Sequence, residues 1–241
     1  MPERLDARTA PAGGKPRVPA CCLEQALEAA LAPRALLTHP FYQAWSAGEL
    51  RADDLARYAE QYRFQVHALP ELLRRARALT PDGETVAELS RNLDDEEGRT
   101  GVAHARLWEA FGSAVGAAAE TTALPETRAS AESLAGLVGE DEVTALATLW
   151  AYEVQTARVA DTKERGLRCY GVDSPAALRF FRLHGELDVH HARGLLESLE
   201  RCIARGGSLE AATSAVERSS RAQWRFLDGA ERLRQERLAA A

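Results

Sequence analysis

Apolar residues recur every three or four positions along almost the whole chain, which is the spacing of one face of an α-helix. Glycine- and proline-rich turns interrupt this recurrence, and no segment alternates as a strand would. The pattern therefore predicts one all-α domain over residues 20–241, after a Pro/Gly/Arg-rich arm over 1–19 that is expected to be disordered. Helices are predicted over 22–32, from 40 to a break at 48, and over 52–79, 86–97, 102–111, 129–137, 142–170, 174–205 and 209–233.

Local signals support several of these boundaries. Ser174 followed by Pro175 is typical of an N-cap and the first helical position. Pro70 is expected to kink the helix around it without ending it. Residues 112–128 are small and polar, so they are predicted to form a surface connection.

Composition narrows the classes of function that remain. The 241 residues are 46% hydrophobic and carry a net charge of −6. No helix has a one-sided basic stripe, which argues against a nucleic-acid partner. No apolar stretch approaches the roughly 20 residues that span a bilayer, so a cytoplasmic protein without a membrane partner is expected. The four cysteines show neither CxxC spacing nor a disulfide framework.

One predicted helix carries a pattern typical of metal ligands. At about 100° per residue, His184, Asp188 and His191 lie within about 60° of one another on the helix over 174–205. Two imidazoles and a carboxylate on one face are half of a metal site. The alternative is an ordinary polar helix face.

Two further helices supply candidate ligands. Glu97 and His104 are seven residues apart and share a face if the helix continues past the glycines between them, whereas a reoriented chain would favour Glu96. Glu153 lies among apolar neighbours in the helix over 142–170, where a cation would offset its burial and Arg158 is the alternative partner. Three imidazoles and three carboxylates on three helices are what two oxygen-activating metal ions in a helical bundle require.

Lysine is rare in this sequence. Of the 30 basic residues only Lys15 and Lys163 are lysines, and only Lys163 lies in the predicted domain. Unlike a guanidinium group, a lysine amine can lose its proton and act as a nucleophile. Chance, or a salt bridge to Glu164 or Asp161, explains Lys163 equally well at this point.

These residues fall within motifs that resemble a known family, the CADD-like heme-oxygenase-like di-metal oxidases. The resemblance extends from about Thr38 to Arg193. The matching motifs are His39-Pro40-Phe41-Tyr42 with Trp45 and Gly48-Glu49-Leu50, Tyr58 with Tyr62, Asn92-Leu93-x-Asp95-Glu96-Glu97-Gly98 with His104, Tyr152-Glu153 with Lys163, and His184-x-x-x-Asp188-x-x-His191.

The resemblance implies a heme-oxygenase-like helical bundle, also found in thiaminase-like and pyrroloquinoline quinone synthase-like proteins. It implies that two metal ions, Fe/Fe or Fe/Mn, act with O₂ and an external reductant to make p-aminobenzoate for folate biosynthesis. Tyr42 matches a tyrosine of the protein that supplies the aromatic ring. Lys163 matches the nitrogen source, while Tyr58 and Tyr152 match tyrosines near the metals. The six implied metal ligands are Glu97, His104, Glu153, His184, Asp188 and His191.

Other functions remain open. An oxidase of the same fold could act on a small-molecule amine or amino acid as an N-oxygenase or C–C lyase, with Tyr42 only lining the pocket. A metal-free interaction protein is the alternative from another class. A homodimer is a candidate assembly for any of these functions.

Overall fold

The computed structural model describes residues 20–240, so the predicted disordered arm over 1–19 lies outside the described residues. Within that range the chain forms nine α-helices, and two short 3-10 helices, Ala32–Arg34 and Leu36–Thr38, connect the first two. The predicted all-α architecture is confirmed. The helices are α1 Ala20–Leu31, α2 Pro40–Ala47, α3 Ala52–Leu79, α4 Gly83–Glu96, α5 His104–Ala114, α6 Pro125–Val138, α7 Glu142–Cys169, α8 Pro175–Ala204 and α9 Leu209–Ala239. None of them combines the length and hydropathy that a membrane span requires.

Aspartate or serine side chains cap the starts of four helices. In each, an aspartate or serine oxygen accepts a hydrogen bond from a backbone N–H in the first turn, which typically contributes about 1 kcal/mol. The predicted cap at Ser174 is confirmed, with Pro175 at the first helical position. The four caps are Asp82 for α4, Asp141 for α7, Ser174 for α8 and Ser208 for α9.

Some predicted boundaries differ from the structure. The connection over 112–128 is shorter than predicted, because Pro125 begins α6 and supplies its fixed backbone angle to the first turn. The last helix continues to Ala239, beyond the predicted end at 233. Helix α3 passes through Pro70 without ending, as predicted.

The interior contains two hydrophobic clusters with a polar layer between them. Helices α7 and α8 pack along each other and take part in both clusters. On α7, Trp150 belongs to the first cluster and Val159 to the second. On α8, Phe181 belongs to the second cluster and Leu195 to the first. The stretches between these residues carry the buried polar side chains of the candidate site.

A close contact fixes α2 against α7. The indole N–H of Trp45 donates to the backbone oxygen of Lys163 at 3.3 Å, although that oxygen lies inside a helix. Trp45 reaches it because residue 166 is a glycine. A Cβ atom there would lie 2.4 Å from Trp45 Cδ1, far inside van der Waals contact.

We expect Gly166→Ala to destabilise the protein by about 1–3 kcal/mol, because the added methyl group overpacks the α2–α7 contact. Gly136 is the matched control, since it also lies in a helix but, apart from its own turn of helix, no atom of the described residues lies within 4 Å of a built Cβ. There the same substitution should stabilise by up to about 1 kcal/mol. Chemical denaturation measures both changes, and equal effects at the two positions would contradict the packing argument.

Candidate metal centre

Six buried side chains meet between the two hydrophobic clusters. They form two triads, and within each triad one potential ligand atom per residue lies within 4.8 Å of the others. Helices α4, α5, α7 and α8 contribute them. The first triad is Glu96, His104 and His184, and the second triad is Glu153, Asp188 and His191.

Helix α8 places three of these residues as its periodicity predicts. His184, Asp188 and His191 are each at most 5% exposed and face the interior, so they are not a solvated polar face. They are divided between the two triads. Their neighbour His190 is exposed on another face of the helix.

The structure places Glu96, and not the predicted Glu97, in the first triad. Glu96 is buried, and its carboxylate lies 2.8 Å from His104 Nδ1. Glu97 forms ion pairs with Arg74 and Arg99 instead. The seven-residue spacing assumed a continuous helix, but α4 ends at Glu96 and α5 begins only at His104.

The second triad includes Glu153, and the alternative pairing with Arg158 is wrong. Arg158 forms an ion pair with Glu28 on α1. Glu153 is 2% exposed and lies 4.0 Å from His191 Nδ1. Among the residues that the structure describes, the Glu153 carboxylate therefore has no arginine partner.

The electrostatics of the triads fit a bound cation. Burial raises the pKa of Glu153 well above its ordinary range, and the charge of Glu96 raises it further. Burial and the charge of Glu153 do the same to the pKa of Asp188, and neither Asp188 oxygen has a hydrogen-bond partner within the described part of the chain. Burial also lowers the pKa of His184, which keeps it in the neutral form that ligates metals. A cation would offset the cost of burying these carboxylates.

Two tyrosine pairs and a lysine lie beside the triads, and we call them the tyrosine–lysine cluster. The hydroxyl groups of Tyr42 and Tyr58 are 2.8 Å apart, and those of Tyr62 and Tyr152 are 2.9 Å apart. The rings of Tyr58 and Tyr62 stack at 5.7 Å and join the two pairs. Tyr62 is not among the site residues predicted from the sequence, although its spacing of four from Tyr58 places both on one face of α3.

Lys163 completes this cluster. Its Nζ donates to the Tyr58 hydroxyl at 2.6 Å and lies 4.8 Å from the centroid of the Tyr42 ring. The alternative salt bridges are wrong, because Arg165 pairs with Asp161 and Arg168 pairs with Glu164. Lys163 is 4% exposed, and burial lowers its pKa from 10.5 to about 7.

Two small cavities border these groups. Each has a volume of about 10 Å³, which is roughly the space of one water molecule. One lies against the triads and the other against the tyrosine–lysine cluster, and Tyr62 and Thr156 line both.

We expect the burial of Lys163 to make stability depend on pH. Because its pKa falls from 10.5 to about 7 on folding, the unfolded chain binds more protons between these values. The wild type should therefore gain free energy of unfolding relative to Lys163→Met as pH rises from 7 to 9, by at most about 1.4 kcal/mol per pH unit. Denaturation with a chelator present measures the difference, and parallel pH profiles would contradict it.

Comparison with known proteins places this arrangement in a family. The sequence pattern of the iron-containing redox enzymes matches residues 56–224. A protein of Nitrosomonas europaea named 4-aminobenzoate synthase is 33% identical over 222 residues, which cover 86% of this chain and 89% of the relative. A protein of the same name from Chlamydia muridarum is 34% identical over 73% of this chain and 78% of its own length.

A solved structure confirms the fold. A domain with a heme oxygenase-like fold from Shewanella denitrificans superposes with a TM-score of 0.71 at 16% identity, over 93% of this chain and 97% of that domain. The predicted heme-oxygenase-like bundle is therefore confirmed. Since the family pattern covers most of the chain and a relative is 33% identical over 86% of it, this protein belongs to the iron-containing redox enzyme family.

Proposed function

We propose that this protein is an oxygen-dependent oxidase that converts the side chain of its own Tyr42 into p-aminobenzoate. The relatives named 4-aminobenzoate synthase support the product, and the iron-containing redox family supports oxidative chemistry. The observation that carries the proposal is that Tyr42 and Lys163 are buried together. Both lie in the interior, joined through the hydroxyl of Tyr58, with almost no free volume around them.

This enclosure favours a substrate that is part of the chain. Sites for small molecules usually have volumes of about 300–1,000 Å³. The two cavities beside the triads and the cluster each offer about 10 Å³. A groove of about 600 Å³ does exist, but it is lined neither by the six triad residues nor by the tyrosine–lysine cluster. The alternative of a small-molecule oxidase therefore has less support.

The proposed conversion defines which bonds change. The Cα–Cβ bond of Tyr42 breaks, Cα takes a hydrogen and is left as a glycine, and Cβ is oxidised to the carboxylate that stands para to nitrogen in the product. The Nζ atom of Lys163 replaces the phenol oxygen, which leaves as water, and the Nζ–Cε bond of Lys163 breaks as Cε is oxidised to an aldehyde. O₂ is the oxidant and an external reductant supplies further electrons. Because Tyr42 is consumed, each chain makes at most one product molecule.

We propose that the two triads hold the metal ions. Mixed histidine and carboxylate ligation suits iron or manganese better than a structural zinc site, so the pair is Fe/Fe or Fe/Mn. When bound, the ions supply the activation of O₂ for the oxidation. The unpaired oxygens of Asp188 also argue against a metal-free interaction protein, since such a protein would have no group to offset their burial.

The side chains of the cluster prepare the amine and the ring. With a pKa of about 7, Lys163 is neutral in a large fraction of molecules at neutral pH, and its lone pair is then available. The hydroxyl oxygen of Tyr58 is hydrogen-bonded both to the amine of Lys163 and to the hydroxyl of Tyr42. Burial among aromatic rings also excludes water, which would compete with the amine.

We expect Glu96→Ala to lose metal and Glu97→Ala to retain it, because only Glu96 belongs to the first triad. The two adjacent carboxylates are matched controls for each other. Anaerobic loading with Fe(II), removal of free metal and elemental analysis measure the ions bound per chain. Wild-type metal content in Glu96→Ala would contradict the first triad as a ligand set.

We expect protein that carries ring-labelled tyrosine to release ring-labelled p-aminobenzoate after Fe(II), O₂ and reductant are added. Mass spectrometry of the small-molecule fraction detects the product. The peptide that carries residue 42 should lose the mass of its side chain in the same sample. Product from Tyr42→Phe at the wild-type level would overturn self-consumption.

A second label tests the nitrogen. Protein made with ¹⁵N-lysine contains label only at Lys15 and Lys163. Lys15→Arg should still release ¹⁵N-product, whereas Lys163→Arg should release at least about 10-fold less, because a guanidinium group stays protonated and is a poor nucleophile. Unlabelled product from labelled protein would exclude Lys163 as the source.

A further inference from the structure

Asp95 contacts the second triad from outside it. This residue lies in the last turn of α4, and its Oδ2 is 3.1 Å from Nε2 of His191 on α8. The adjacent residue, Glu96, points into the first triad. Successive residues on a helix differ by about 100° in direction, so one turn of α4 reaches both triads.

The contact with Asp95 determines which nitrogen of the His191 ring remains available to bind a metal ion. With Nε2–H donating to Asp95, Nδ1 is the free nitrogen, and it lies 4.0 Å from Glu153 Oε2. His184 shows the opposite arrangement, because its Nδ1 lies 2.8 Å from the backbone oxygen of Phe180 and leaves Nε2 free. Each ring therefore has a hydrogen-bond acceptor behind it.

Asp95 is itself held in place and is distinct from its acidic neighbours. The Thr100 hydroxyl donates to its Oδ1 at 2.5 Å, which fixes the carboxylate opposite its contact with His191. Asp94 forms an ion pair with Arg99 at 3.0 Å and does not reach the triads. The Asp94 side chain is 37% exposed, whereas that of Asp95 is 21% exposed.

We propose that Asp95 is a positioning residue for the second triad: its carboxylate holds the His191 ring in the Nε2–H tautomer, with Nδ1 directed at the ion that Glu153 and Asp188 share. The inference rests on the proposed two-metal site. A carboxylate behind a ligating histidine fixes the ring and increases its basicity, and losing such a partner usually lowers metal affinity about 10- to 100-fold. Loss of the Asp95 carboxylate should therefore lower the metal affinity of the second triad and leave that of the first triad unchanged.

The first experiment uses protein without metal. Long-range ¹H–¹⁵N correlation of histidine-labelled protein reports the tautomer of each ring, with His191 assigned from His191→Gln. The wild type and Asp94→Ala should show His191 as the Nε2–H tautomer. Asp95→Ala should show a mixture of tautomers, and Asp95→Asn, which keeps an acceptor oxygen, should restore the wild-type form. A wild-type signal in Asp95→Ala would overturn the proposal.

The second experiment measures affinity by anaerobic titration with Mn(II), counting ions by their EPR signal. The wild type and Asp94→Ala should bind two ions, and Asp95→Ala should bind one of them about 10- to 100-fold more weakly. Asp95→Asn should lie between the wild type and Asp95→Ala. If Asp95→Ala does not fold, the comparison of Asp95→Asn with Asp94→Asn decides the question.

The outcomes distinguish a failure of the role of Asp95 from a failure of the two-metal site. Two ions bound with unchanged affinity in Asp95→Ala would overturn the role of Asp95 and leave the metal centre standing. A wild type that binds no Mn(II) and no Fe(II) would overturn both. An equal loss in Asp94→Ala would indicate a general effect of acidic charge and would also overturn the specific role.

Discussion

The cost of burying three carboxylates in the middle of a helical bundle constrains this structure most strongly. Glu96, Glu153 and Asp188 lie where the chain would otherwise form one continuous apolar core. An unpaired buried charge costs several kcal/mol, and two carboxylates raise each other's pKa further. Within residues 20–240 no arginine is paired with these carboxylates, and Arg74 and Arg158 pair with Glu97 and Glu28 instead. A cation is the group that would balance them.

The polar layer also determines the division of the interior. One hydrophobic cluster lies on each side, and the long helices α7 and α8 extend through both. Stability then comes from two apolar clusters, while the layer between them is specialised for chemistry. Buried polar groups without partners commonly mark such functional sites in otherwise well-packed proteins. The orphaned oxygens of Asp188 are an example.

The tyrosine–lysine cluster depends on the same exclusion of water. Burial lowers the pKa of Lys163 and raises the pKa of Tyr42 and Tyr58, so desolvation favours the neutral form of every member. A neutral amine beside a neutral phenol is a stable arrangement in an apolar interior. It is also the protonation state in which the amine has a lone pair. One physical cause therefore serves both stability and the proposed chemistry.

The sequence by itself determined the helices and most of the candidate ligands. Helical periodicity is a local property, so the shared face of His184, Asp188 and His191 followed from their spacing. The cap at Ser174 followed from local hydrogen bonding for the same reason. The rarity of lysine singled out Lys163 before any contact was known.

Tertiary structure alone decided the choice of Glu96 over Glu97 and the positions of Asp95 and Tyr62. Helix periodicity does not extend across residues 97–103, where the chain leaves α4 and re-enters as α5. The direction of each carboxylate there depends on arginines from other segments, such as Arg74, and on the approach of α8. Such contacts join residues about 20 to 100 positions apart in the chain, and sequence spacing carries no information about them.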